Sequence, residues 1–145
     1  MQKIDLEQER KTLDREITFF HFKRAKKRAF RCLNVAKKQG NNFFFFYFLA
    51  QRYILREDFI SAIKYLDLCL KIRKADGCSY NDKALCLAEM GKYNQALACF
   101  DEGIKRDRDC VTLYHNKGWL LNSLGKLREA SLYFHKSLER EPQRP

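Results

Sequence analysis

Gly91-Lys92-Tyr93-Asn94-Gln95-Ala96-Leu97-Ala98-Cys99-Phe100 returns as Gly125-Lys126-Leu127-Arg128-Glu129-Ala130-Ser131-Leu132-Tyr133-Phe134, a step of 34 residues. The same step backwards reaches Glu57-Asp58-Phe59-Ile60-Ser61-Ala62-Ile63-Lys64-Tyr65-Leu66. A fixed period of this length, with a small residue and a large apolar residue in register, predicts helix–turn–helix units stacked side by side. The repeated alanine sets the units at 43–76, 77–110 and 111–144. Apolar spacing predicts helices near 43–56, 59–72, 77–90, 93–106, 111–124 and 127–140. Gly91 and Gly125 stand where a chain reverses through left-handed backbone. The first unit has Glu57-Asp58 there. Asp76-Gly77, Asp107-Arg108-Asp109 and Glu141-Pro142 punctuate the unit ends.

The details within each unit resemble the tetratricopeptide repeat family. A bulky aromatic near the start of the first helix is met by Phe46, Tyr80 and Tyr114, and a small residue four later by Ala50, Ala84 and Gly118. A large residue follows as Tyr53, Leu87 and Leu121. In the second helix the small residue is Ala62, Ala96 and Ala130. Leu66, Phe100 and Phe134 come four later, then Cys69, Gly103 and Ser137. Small residues allow two helix backbones to approach, and the large ones fill the space around them. The closing proline of the family appears only as Pro142; Lys74 and Arg108 replace it earlier. The resemblance covers about 43–142. It implies an all-α fold: a right-handed α-solenoid of three such units, preceded by an additional basic N-terminal helix.

That helix lies in the segment 1–42. Phe22, Ala25, Ala29, Leu33 and Ala36 recur at steps of three and four, which predicts an amphipathic helix over about 17–39, ended by Gln39-Gly40-Asn41-Asn42. Residues 1–16 are polar and mixed in charge and read as a frayed helix or a tail. Phe43-Phe44-Phe45-Phe46-Tyr47-Phe48 is apolar all round and needs cover on two sides. The basic helix is the nearest cover on one of them. It also reads as the second helix of a degenerate fourth repeat, although its signature residues are weak.

The net charge is +11, and no Asp or Glu occurs between Ile17 and Arg56. Such a field favours an anionic partner: acidic protein, RNA or an acidic lipid surface. The candidate patch is Lys23, Arg24, Lys26, Lys27, Arg28 and Arg31. A run this basic also matches a nuclear localisation signal. Phe19, Phe20, Phe22 and Phe30 interleave it and suit an interface or a lipid surface. The plainest alternative is a solvated helix face.

A solenoid of this kind presents a concave wall built from the first helix of each unit. The resemblance implies that a peptide or helix binds there, and it carries the wall onto Tyr47 and Gln51, then Asn81, Asp82 and Leu85, then His115, Asn116 and Trp119. Phe44, Phe48, Cys78, Glu89, Thr112 and Ser123 flank them. Amides such as Asn81 and Asn116 can donate to and accept from a peptide backbone. Some relatives clamp a C-terminal carboxylate with Lys, Asn and Arg from this wall. Here those positions are Tyr47, Gln51, Asp82, Thr112 and Asn116, none of them cationic, so the sequence argues against such a clamp.

The six cysteines form no CxxC and no zinc-type spacing with His, which suggests buried, reduced thiols. No HExxH, phosphate loop or nucleophile elbow occurs, and no cofactor or metal is expected. No run of residues is long and apolar enough for a membrane span, and no leader is apparent. The sequence therefore predicts a non-catalytic adaptor, scaffold or chaperone-like subunit, intracellular and cytoplasmic or nuclear. The alternative is an RNA- or ribonucleoprotein-associated factor acting through the basic helix. Leu120, Leu124, Leu127 and Leu138 are expected on an uncovered terminal face suited to self-association or assembly.

Overall fold

A computed structural model describes residues 3–141. Every regular element among them is helical: α1 (Leu6–Thr18), α2 (Phe22–Lys38), α3 (Asn42–Leu55), α4 (Phe59–Ile72), α5 (Gly77–Glu89), α6 (Tyr93–Arg106), α7 (Val111–Ser123) and α8 (Leu127–Arg140). Among the described residues no helix is long and apolar enough to cross a membrane. The chain divides into two compact units, Met1–Ile72 and Arg73–Pro145. Pro142, one of the expected punctuation residues, lies outside the described residues.

The six helices expected from the 34-residue period appear within a residue or two of their expected ends. Their starts have a local cause. Asp58 and Asp76 accept hydrogen bonds from the backbone N–H of Ser61 and Ser79, both at 3.1 Å, and Asn41 accepts from that of Phe44 at 3.1 Å. Each satisfies a donor that the first turn leaves without a partner. Gly91 and Gly125 take φ of +76° and +79° at the reversals. Glu57, with a φ of +59°, does the same despite its Cβ.

In the second unit α5 packs on α6 and α7 on α8, and α7 also contacts α5 and α6. The small residues sit where the backbones approach. A Cβ on Gly103 would come within 2.7 Å of the Tyr80 Cβ and about as close to Leu113. One on Gly118 would press on the Phe134 ring at 3.0 Å. Phe100, Leu113, Leu120 and Leu121 are enclosed around them. Leu120 therefore belongs to the core, whereas Leu127 and Leu138 are exposed as expected. The reason is that α7 packs against α5, α6 and α8 and so is covered on several sides.

The first unit departs from expectation at its start. The predicted helix over 17–39 begins only at Phe22, and a separate helix, α1, precedes it. The break is at Phe20, whose φ is +61°; a left-handed residue ends a right-handed helix. The polar segment before it is ordered, with Asp5 capping α1 through the N–H groups of Glu7 and Gln8. Helix α1 packs on α2, α2 on α3, and α3 on α4.

These first two helices repeat the hairpin plan with a different step. Phe20, Glu57, Gly91 and Gly125 occupy the same left-handed turn position. Glu57 follows Phe20 by 37 residues, not 34. The surplus lies in α2, which has 17 residues where α4, α6 and α8 have 14. At this offset Ala25, Ala29 and Cys32 match Ala62, Leu66 and Cys69, and all six are fully enclosed. Glu9, Glu16 and Arg28 match Phe46, Tyr53 and Tyr65. In the α3–α4 hairpin those three rings stack, Tyr65 lying 6.1 Å from Phe46 and 5.6 Å from Tyr53. In the α1–α2 hairpin Arg28 makes ion pairs with both Glu9 and Glu16 instead. An ionic triad thus stands where the next hairpin has an aromatic one.

Candidate partner-binding site

The second unit holds a polar ladder on its first helices. On α7 the Asn116 Nδ2 donates to Asn81 Oδ1 on α5 at 2.8 Å. Asn81 Nδ2 in turn donates to Asp82 Oδ1 at 3.3 Å. Asn81 is buried and Asn116 and Asp82 are half-buried. This chain of amides fixes their orientation and directs the Asn116 carbonyl, a hydrogen-bond acceptor, away from Asn81. Leu85 is half-buried on α5, one turn beyond Asn81.

Along the exposed edge of α7, one turn apart, stand His115 and Trp119. The His115 ring rests 5.5 Å from that of Phe134. Trp119 leaves 49% of its surface in solvent. A single large indole exposed to this extent beside oriented amides offers area and hydrogen bonding together, the usual makings of a binding anchor.

The opposite side of α7 is held by Lys117, which neither composition nor period singled out. Its ammonium is buried, paired with Asp101 on α6, 2.7 Å from the Tyr133 hydroxyl on α8 and above that ring. Burial works against its charge, but Asp101 and the Tyr133 hydroxyl outweigh this and raise its pKa. One cation thereby ties α7 to two neighbours and fixes its rotation, so the presentation of His115, Asn116 and Trp119 is set by packing.

The groove positions expected on α3 sit differently. Tyr47 and Gln51 are buried, as are Phe44 and Phe48. The Arg10 guanidinium of α1 lies 5.2 Å from the Tyr47 ring centre and within 6 Å of Phe43 and Phe44. Arg10 is itself buried and held by Glu7 Oε1 at 2.6 Å. Sequence reasoning missed this cover because α1 lacked the aromatic signature; the all-aromatic entry at Phe43 was the only sign that cover was needed.

The basic candidates separate into two groups. Arg28 is half-buried in its ion pairs, and Arg31 reaches Glu9 at 3.1 Å. Burial pushes the Glu9 carboxyl up, but Arg28 and Arg31 outweigh it and hold its pKa below the usual value. The Cys32 thiol beside Glu9 is pushed up to about 11 by burial and by the Glu9 charge, so it stays protonated and unreactive near neutrality. Lys23, Arg24, Lys26 and Lys27 are exposed. None of the six cysteines forms a disulfide. No cluster of metal-ligating side chains occurs among the described residues.

Comparison with known proteins bears on the fold that carries these residues. The tetratricopeptide repeat family pattern matches 79–110 and 111–144. The two matched stretches are adjacent and similar to tetratricopeptide repeats. They correspond to the α5–α6 and α7–α8 hairpins that carry the asparagine ladder. Solved structures of MamA share the fold of the chain more widely. One is 18% identical over 88% of this chain and 93% of its own, with a TM-score of 0.64. A second is 17% identical over 94% and 91%, at 0.63. A MamA fragment from Desulfovibrio magneticus RS-1 is 15% identical over 94% and 75%, at 0.62. These neighbours share an all-helical repeat fold with the chain. No curated protein sequence matches the chain. Tetratricopeptide repeats generally serve protein–protein interaction, and the matched repeats support an interaction module in this chain.

Proposed function

We propose that the chain is an adaptor or scaffold that holds an extended peptide segment, or one face of a partner helix, along the α5/α7 face. The observation that carries this is the asparagine pair: Asn116 and Asn81 order one another at 2.8 Å beside a half-exposed Trp119. Oriented amides suit the alternating donors and acceptors of a peptide backbone, and an exposed indole suits one apolar side chain. The reading rests on the second unit alone, because Tyr47 and Gln51 are buried. Asp82 and Glu89 on this face disfavour a partner with a free carboxylate and favour a neutral or basic segment.

The test is selection of peptides from a random displayed library on the wild-type protein, followed by affinity measurement on variants. Trp119→Ala is expected to weaken the selected peptides about 30-fold, the scale of a hot spot worth about 2 kcal/mol. Asn116→Ala is expected to weaken them about fivefold, as loss of one hydrogen bond near 1 kcal/mol does. Peptides that bind both variants as tightly as wild type would refute the assignment.

A further inference from the structure

The turn between α1 and α2 carries an expense that its counterparts avoid. At the same left-handed position the other hairpins have Gly91, Gly125 or the solvated Glu57. Here the residue is Phe20, which combines a φ of +61° with 78% exposure. A bulky side chain gains nothing from left-handed backbone, and an apolar one gains nothing from water. Its neighbours repeat the exposure: Phe19 is 67% exposed and Phe22 44%. The Phe20 and Phe22 rings meet edge to face at 5.9 Å, and Phe19 precedes them in the same turn, so three exposed aromatics mark this tip.

The tip continues directly into cations. Lys23, Arg24, Lys26 and Lys27 are exposed on the first turns of α2. Lys26 also lines a recess of about 280 Å³ with Arg52, Leu55 and Arg56 from the end of α3. No acidic residue occurs in the sequence between Ile17 and Arg56, and the nearby Glu9 and Glu16 of α1 are engaged by Arg28 and Arg31.

We infer that this tip and its cationic border dock on an anionic membrane surface, with Phe19, Phe20 and Phe22 entering the interface and the Lys and Arg side chains meeting lipid phosphates and carboxylates. Shape separates this from other polyanions. The aromatics stand exposed at the turn between two helices, which suits a soft planar partner into which they sink. A single-stranded nucleic acid needs aromatic faces laid along a basic groove. The aromatic that does lie among the cations of α2, Phe30, has the Arg52 guanidinium 5.1 Å from its ring centre. One shallow aromatic anchor beside a basic cluster is the combination that gives reversible interfacial binding.

Co-sedimentation of the full chain with phosphatidylcholine vesicles, with and without phosphatidylserine, tests it. Binding is expected only with phosphatidylserine and is expected to weaken as salt rises. Lys23→Glu and Lys27→Glu should each lower it at least fivefold, since a basic side chain near such a surface contributes about 1 kcal/mol. Phe20→Gly is the decisive variant, because glycine accepts the left-handed turn without strain. Its melting temperature should equal or exceed that of wild type while its vesicle binding falls several-fold. A residue kept for structure alone would lower the melting temperature and leave binding unchanged. In a Trp119→Phe background, Phe20→Trp should show a blue-shifted emission on phosphatidylserine vesicles. Absence of sedimentation, an unshifted tryptophan, or binding to a single-stranded RNA oligonucleotide without binding to vesicles overturns the inference.

Discussion

Replacing Arg28 by methionine should unfold the chain earlier, and by an amount the geometry sets. Arg28 pairs with both Glu9 and Glu16 inside the α1–α2 hairpin, and Arg31 touches Glu9 from outside. Methionine keeps most of the stem but leaves two partly buried carboxylates facing each other. Breaking a buried ion pair costs about 3–5 kcal/mol. The side chains of Arg28, Glu9 and Glu16 are 24%, 19% and 11% exposed, so water recovers part of that loss and about 2 kcal/mol remains. For 145 residues unfolding together the melting temperature should fall by about 6 °C. Circular dichroism at neutral pH measures it. The triple change Glu9→Phe, Glu16→Tyr and Arg28→Tyr transplants the stack of Phe46, Tyr53 and Tyr65. It should restore or raise stability, because a well-packed apolar set often equals or exceeds a buried ionic one. If Arg28→Met melts with wild type, the triad does not hold the hairpin. If the triple variant loses helix content, the equivalence of the two hairpins is false.

Three further outcomes follow from the packing and charge. Because the Glu9 pKa is lowered in the folded state, its stabilising contribution is full above the unfolded carboxylate value and is lost as pH falls through the folded one. Hydrogen exchange of α1 and α2 should therefore accelerate in that acid range before exchange of α6 does. Gly103→Val should destabilise by about 1–3 kcal/mol, since its Cβ alone would meet Tyr80 at 2.7 Å; denaturant melts read the change. Asp76→Ala should cost about 1 kcal/mol by removing the cap on Ser79, seen as a lower urea midpoint at unchanged slope.

The legible part of the fold was the part governed by shape. Between Phe43 and Arg140 the period, the glycines at the second and third turns and the small residues at the crossings were present. They are side chains whose type is dictated by volume or backbone angle. Helix α1 escaped because its two signature positions hold Glu9 and Glu16, which carry no apolar periodicity and reveal their role only beside Arg28. The three extra residues of α2 then moved its alanines out of the 34-residue frame, so that Ala25 and Ala29 gave a helix but not a repeat. The reversal at Phe20 was hidden for a related reason: no glycine marks it.

For the candidate site, Asn81, Asn116 and Trp119 could be named from register, whereas their relation to one another could not. A hydrogen bond between residues 35 apart depends on how α7 is rotated, and that is set by Lys117 with Asp101 and Tyr133. Tyr47 shows the converse. Its register was that of a groove residue, and its burial follows from Arg10, a side chain of the helix the period did not reveal.

The central claim is that partners are held on the α5/α7 face. Backbone amide mapping by NMR during titration with a peptide selected on the wild-type protein tests it most directly. The account predicts the largest shifts at Asn81, Asp82, Leu85, His115, Asn116 and Trp119, and in the Asn116 side-chain amide, with little change along α2. Shifts concentrated on α2 or α8, with the Asn81 and Asn116 amides unmoved, would contradict it.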